Sequence, residues 1–305
     1  MTLQEKLQFI RKVTGKTQEK LAQELGVSFV AFNRWQNGRS VPRKKQQAKI
    51  NALFLELSGQ KKIPSEALQA KKLLLANQKR SYPDALKVIL SRKDIHDEFV
   101  LELTYHTNRI EGSSLTEPET AAILFQNAAL PNKGIIEQLE VKNHQTALQF
   151  LFKHVAEKGR IDEAFILRLH AILMNSIRED AGSYRKHGVR IVGANVVTAN
   201  PLKVPERMRH LFRKIQKRST DVIAHGARIH SEFEQIHPFS DGNGRIGRLL
   251  LNAMLLKEKF PPAIIRQGKR RFYMLYLNQS QLESKFDPFE DFLCDAVMDG
   301  FDLMK

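Results

Sequence analysis

Strand-like runs are scarce along these 305 residues, whereas apolar side chains recur every three or four positions. That period restricts most of the chain to amphipathic helices packed on one another. Ile95, Phe99, Leu103 and Ile110 mark one such helix, ended by Gly112, and helices also fit 136–158, 161–175, 205–218 and 222–234. Bundled helices around a central pair suit this order better than any parallel sheet. The period changes only between Gly182 and Thr198. There Val189, Ile191, Val196 and Val197 are β-prone and Gly193-Ala194-Asn195 suits a turn, so a β-hairpin is predicted. A lone hairpin leaves an edge that can accept a peptide by strand addition.

Charge divides the chain. Residues 1–93 hold 20 Lys/Arg against 6 Asp/Glu, and residues 94–305 hold 29 against 27. Nearly all of the net +16 therefore sits in the first third, which suggests nucleic acid or another acidic partner for that part. Three parts are expected: a helical module over 1–57, a basic and partly helical connector over 58–93, and a larger helical domain over 94–300. One cysteine, Cys294, excludes an intrachain disulfide framework. Met1-Thr-Leu-Gln-Glu lacks a secretory pattern, and no apolar run approaches the length of a membrane span, so a soluble cytoplasmic protein with no membrane partner is expected.

In the basic module, Leu3, Leu7 and Ile10 form a stripe before Gly15. Thr17 caps a helix carrying Leu21, Ala22 and Leu25, and Ser28 caps another through Gln36. Thr17-Gln-Glu-Lys-Leu-Ala-Gln-Glu-Leu-Gly-Val27 followed by Arg34-Trp-Gln-Asn-Gly38 resembles the Cro/repressor-like helix-turn-helix family. The resemblance implies Gln18 as a phosphate contact and Ser28, Phe29, Asn33 and Arg34 as the groove-facing set on double-stranded DNA, bound by paired copies. Phe29 and Val30 depart from the usual polar face and suit either thymine methyls or a protein surface. Phe32 and Trp35 read as core.

His237-Pro-Phe-Ser-Asp-Gly-Asn-Gly-Arg-Ile-Gly-Arg248 gathers an imidazole, a carboxylate, two glycines flanking an amide, and two guanidiniums. Gly242 and Gly244 permit tight turns and expose peptide N–H groups. Arg245 and Arg248 share a face if a helix begins near Asn243. A helix N-terminus with two arginines is a place for phosphates, Asp241 beside them is a candidate magnesium ligand, and His237 is a candidate base near neutral pH. Nucleotide phosphate transfer is the implied class of chemistry, and nothing in the spacing names the acceptor.

The same segment resembles the signature of Fic-domain (Fic/DOC) enzymes: His-Pro-Phe, any residue, an acidic residue, Gly-Asn-Gly-Arg, two residues, Arg. Every fixed position matches, and helix order extends the resemblance over about residues 90–300. It implies an all-α core with a β-hairpin flap, and a magnesium-dependent enzyme that moves AMP from ATP to a Tyr, Ser or Thr hydroxyl of a protein. His237 would be the base, Asp241 the magnesium ligand, and Gly242, Asn243, Gly244, Arg245 and Arg248 the phosphate-holding set. Arg185, Val189, Ile191, Val196 and Val197 would form the flap that presents the target.

Thr107-Asn-Arg-Ile-Glu-Gly112 also resembles the family's inhibitory motif, which implies that Glu111, on a helix over 98–112, pairs with Arg248 and blocks productive ATP binding. Alternatives stand beside this reading: a DNA-binding regulator whose second domain only senses nucleotide, an enzyme using another nucleotide donor, or one that removes AMP.

Overall fold

Three hydroxyl caps lay out the first part of the chain in the computed structural model, which describes residues 1–59, 62–191 and 196–305. Thr2 caps α1 (Leu3–Thr14) in a reciprocal box with Glu5, Thr17 caps α2 (Gln18–Leu25), and Ser28 caps α3 (Phe29–Gln36). Gly15 and Gly26 end the first two helices in left-handed geometry, and α4 (Lys44–Leu57) closes the unit. Leu7, Leu21, Phe32 and Ile50 are fully buried, and Trp35 is buried with them, so Phe32 and Trp35 of α3 serve the core. These helices form one compact unit, Met1–Ile63, and the remainder forms a second, Pro64–Lys305.

The second unit contains α5 (Ser65–Ser81), α6 (Ala85–Ser91), α7 (Lys93–Glu111), α8 (Glu117–Gln126), α9 (Ile135–Ala156), α10 (Glu163–Leu173), α11 (Val204–Ile215), α12 (Val222–Ile236), α13 (Asn243–Lys257), α14 (Arg270–Leu282) and α15 (Asp287–Asp302). At the centre lies α13, buried at every position from Arg245 to Leu256. A helix enclosed on all sides needs neighbours on all sides; α12, α7, α9 and α10 supply them. The approach of α12 is close, because a Cβ on Gly226 would stand 3.0 Å from Leu251 and one on Gly247 would collide with the Glu234 carboxyl.

The stretch read from sequence as a connector over 58–93 contains α5 and α6, and α5 packs within the second unit. Lys71 bridges to Asp291 and Asp295, each at 2.7 Å, while Lys72 bridges to Asp221 and Glu290, each at 2.6 Å. These pairs join α5 to α15 and to the cap of α12.

Among the described residues none forms a strand. The expected turn Gly193-Ala194-Asn195 lies outside the described residues. On either side of it the chain is held by side chains rather than by a ladder, since Thr198 Oγ1 donates to the Val189 carbonyl at 2.8 Å and Arg185 reaches the Ala199 carbonyl. Among the described residues no helix is long and apolar enough to cross a membrane.

Candidate active site

Helix α12 ends at His237, whose backbone is left-handed (φ 52°), and the chain then loops through Phe239 and Asp241 to enter α13 at Gly242 (φ 77°). Gly242 is required twice over: its φ disfavours a side chain, and a Cβ there would press on Met174 Sδ at 3.0 Å. The loop is tightly clipped. Asn243 Oδ1 accepts from the Phe239 N–H and its Nδ2 donates to the Phe239 carbonyl, both at 2.8 Å. Phe239 lies flat on His170 with centroids 3.7 Å apart. His170 accepts from the Gly182 N–H at Nδ1, so its Nε2 carries the proton donated to the Asp241 carbonyl at 3.1 Å. Burial pushes this imidazole down to about 4, which keeps it a neutral strut.

His237 donates from Nδ1 to the Glu234 carbonyl at 3.1 Å, leaving Nε2 as the unprotonated nitrogen. Burial holds its pKa below the ordinary histidine value. The nearby Arg185 charge adds to that, against the opposing effects of the Glu234 carbonyl, Glu111 and Asp241. A ring that is neutral near pH 7 with one free nitrogen can accept a proton.

Arg185, expected to belong to the flap, is buried at 3% exposure. Its guanidinium donates to the carbonyls of His237 (2.7 Å), His187 (2.7 Å), Ala199 (2.5 Å) and Ile236 (3.3 Å), fastening the 185–199 segment to the end of α12. Of the other flap residues, Val196 is buried, Val189 and Ile191 are half-buried, and Val197 is 84% exposed.

Both arginines of the motif already hold carboxylates. Arg245 Nη1 meets Glu140 of α9 at 2.5 Å, and its Nη2 lies 3.7 Å from Asp241. Arg248 Nη2 meets Glu111 at 2.5 Å, while its Nε donates to Thr107 Oγ1 at 2.6 Å. Thr107 and Glu111 lie one turn apart on α7 and thus grip one guanidinium together. Partial burial would raise the Glu111 carboxyl, but Arg248, with Arg245 and Arg270 behind it, outweighs burial and holds it below the usual glutamate range.

The carboxylate also covers the first turn of α13. A Cβ on Gly244 would sit 2.4 Å from Glu111 Oε1. The first N–H groups of a helix lack intrahelical acceptors, so this is where an anion is favoured, and the Glu111 carboxylate lies beside it. Asp241 stands at the rim with its side chain 54% exposed, one oxygen accepting from the Gly242 N–H at 2.6 Å. Among the described residues no group of three or more His, Cys, Asp or Glu could hold a metal ion.

Residues 160–255 match the model of the Fic/DOC family. The chain carries a Fic/DOC-family domain. It is 34% identical over 183 residues to the protein adenylyltransferase Fic of Nematostella vectensis, covering 58% of this chain and 42% of that protein. It is 28% identical over 244 residues to the protein adenylyltransferase Fic of Drosophila grimshawi, covering 78% and 50%. The chain thus spans half or less of the length of these curated relatives. The fold is also that of a Fic domain containing signaling protein from Bacteroides thetaiotaomicron, with a TM-score of 0.68 and 24% identity over 77% of this chain and 96% of that one. Fic-1 from C. elegans gives a TM-score of 0.69 and 24% identity, covering 94% and 84%.

The Fic-fold loop explains which neighbours sequence reasoning passed over. Glu140, Glu234 and Tyr273 belong to no local pattern and meet the motif only in the folded chain. His170 likewise carries no local signal, and its stack on Phe239 makes it a structural support of the loop. Asn243, read as a phosphate holder, spends both ends of its amide on Phe239. Asn243→Ala should therefore destabilise the chain by about 1–3 kcal/mol in urea unfolding and speed hydrogen exchange at the Phe239 amide, whereas Asn243→Asp, which keeps the acceptor, should lose less.

Proposed function

We propose that this chain is an autoinhibited protein adenylyltransferase, moving AMP from ATP to a Tyr, Ser or Thr hydroxyl of a protein and releasing diphosphate. The observation that carries the reading is the Glu111 carboxylate lying over Gly244 while bonded to Arg248. An internal anion sits where the phosphate chain of a nucleotide would lie. The names of the curated relatives point to the same transfer.

In this reading His237 Nε2 takes the proton of the target hydroxyl as its oxygen attacks the α-phosphorus, and the bond from that phosphorus to the bridging oxygen of the leaving diphosphate breaks. The Nδ1 bond to the Glu234 carbonyl fixes the tautomer this step needs. The N–H groups at Gly242–Gly244 receive the phosphates, Arg245 neutralises the leaving side from its place beside Glu140, and Arg248 grips the γ-phosphate once Glu111 has left. Asn243 holds the loop that presents these groups. The segment from Arg185 to Val197 positions the target, with exposed Val197 as a contact.

Asp241 is the residue for magnesium. A single exposed carboxylate beside a phosphate site fits an ion that keeps water and phosphate oxygens as its other ligands. Magnesium bound there supplies neutralisation of the α- and β-phosphate charge.

We further infer that Met1–Ile63 reads double-stranded DNA as a pair of copies. Helices α2 and α3 are joined by three residues, and α3 leaves Phe29, Val30 and Arg34 exposed while burying Phe32 and Trp35. Asn33 Nδ2 donates to Gln18 Oε1 at 3.0 Å, so these two candidate contacts brace each other. Ser28 opens the same face.

Incubation with labelled ATP, magnesium and a protein mixture tests the transferase. Glu111→Gly should raise label incorporation by about tenfold or more, and adding His237→Ala should lower it by at least about a hundredfold. Strong incorporation by the unmodified chain with no gain from Glu111→Gly would overturn the autoinhibition. The acid limb of the Glu111→Gly rate should fall below the ordinary histidine range, because the His237 pKa is depressed and the neutral base persists as pH drops. Selection from a pool of DNA duplexes tests the first unit; Asn33→Ala with Arg34→Ala should abolish retention, and retention that survives both substitutions sinks that contact set.

A further inference from the structure

Glu234 projects from α12 into the space between α12 and α13, with its side chain 8% exposed. One of its carboxyl oxygens, Oε1, has no hydrogen-bond partner among the described residues. Its neighbours cannot supply one. His230 donates from Nδ1 to the Gly247 carbonyl at 3.0 Å, so its Nε2 is the acceptor for the Tyr273 hydroxyl at 2.7 Å. Burial pushes that imidazole down to about 3, and burial together with Glu234 pushes the tyrosine up, so both rings stay neutral. The distance from Glu234 Oε1 to His230 Nε2 is 4.0 Å, too long for a hydrogen bond. Gly247 gives the carboxyl its room, since any Cβ there would strike Oε1.

The charged groups facing this carboxyl are Arg248 from α13 and Glu111 from α7; His230 on its own helix and Tyr273 on α14 are the neutral ones. Arg248 therefore has two carboxyls in its field, one bonded at 2.5 Å and one buried, with an oxygen that has no hydrogen-bond partner among the described residues. A buried carboxylate with no bonded cation is expensive, and a second negative charge beside Glu111 makes it more so.

We propose that Glu234 is the reserve counter-ion of Arg248: it carries a proton while another anion holds the guanidinium, and gives that proton up when the guanidinium stands empty. Exchange of occupant on Arg248 is then coupled to proton exchange at a carboxyl that never touches the nucleotide. With Glu111 in place, burial and the Glu111 charge outweigh Arg248 and push Glu234 up to about 8, so it is largely protonated at neutral pH. Removing the Glu111 charge removes one of the causes that raise it, and Glu234 ionises at lower pH. A phosphate arriving on Arg248 restores the negative neighbour, and Glu234 takes a proton from solvent. ATP affinity of the Glu111-free chain should then fall with rising pH between the two midpoints, by up to about tenfold per pH unit. Glu234 acts here as a positioning residue for the charge of Arg248. The nucleotide half of the proposal rests on the ATP reading of the site; the Glu111 half does not.

The test is a carbon-13 NMR titration of glutamate side chains in the full chain over roughly pH 6 to 9, with the Glu234 signal assigned by its loss in Glu234→Gln. The unmodified chain should show a midpoint of about 8. Glu111→Gln should lower that midpoint by about one pH unit or more, and ATP with magnesium added to Glu111→Gln should raise it again. In the Glu111→Gln background, Glu234→Gln should flatten the pH dependence of ATP affinity. Because an amide resembles the protonated acid in shape and charge, Glu234→Gln should also leave the unmodified chain folded. A Glu234 carboxyl ionised throughout that range, or a midpoint unmoved by Glu111→Gln, overturns the proposal. ATP that binds without moving the midpoint overturns the coupling. ATP that does not bind overturns the nucleotide reading instead, and the Glu111→Gln comparison still decides the role of Glu234.

Discussion

Arg248 is 6% exposed, and the fold around its guanidinium is organised to keep it charged. Thr107 and Glu111 meet it from α7, and Tyr273 lies beneath it with the ring centre 5.9 Å from Cζ. A buried charge persists only where hydrogen bonds and counter-charge replace its water. The packing of α7 on α13 is therefore more than burial of apolar surface. It completes a charge that α13 cannot solvate alone, and it ties the end of α7 to the first turns of α13.

The loop from His237 to Gly242 follows the same principle with carbonyls in place of carboxylates. Arg185 satisfies four carbonyl oxygens around the end of α12, and Asn243 satisfies both polar groups of Phe239. Irregular backbone inside a helical core leaves peptide groups without a ladder, and buried side chains must take them up. That demand accounts for where Arg185 goes. The carbonyls of Ile236 and His237, which have no ladder to pair with, draw it inward.

Much of this was legible in the sequence because the informative residues are neighbours. The helical period of α7, α9 and α12, and the cluster from His237 to Arg248, each sit in one short stretch, so spacing and residue type suffice. Glu111 required a family resemblance, since nothing local marks it, and the pairing with Arg248 joins residues that are remote in sequence. Glu140, Glu234, His170 and Tyr273 share that difficulty without a motif to relieve it. A lone glutamate on an amphipathic helix reads as surface, and only the fold shows that Glu140 meets Arg245 and that Glu234 Oε1 finds no hydrogen-bond partner among the described residues. The β-prone run over 189–197 lies only partly within the described residues, and none of those described forms a strand. Thr198 holds Val189 at one side of it, and Arg185 holds Ala199 beyond the other.

Arg245 and Arg248 lie near the start of α13, and each is already matched by a carboxylate, so under the proposed function an incoming anion must displace a carboxylate from one of them. The two pairs are not equivalent. Glu140 projects from the body of α9, well inside a helix of 22 residues, and follows no hinge. Glu111 is the last residue of α7, where the helix dipole disfavours a negative charge, and it is followed by Gly112 in the left-handed region. Its end is held by contacts that can be released one at a time: Arg270 Nε donates to the Ile110 carbonyl at 2.7 Å, and Glu137 accepts from Ser113 and Ser114. Glu111 is thus the carboxylate that can move with least disruption to the core. Exchange on Arg248, with Arg245 left in place, follows from where the two carboxylates stand on their helices.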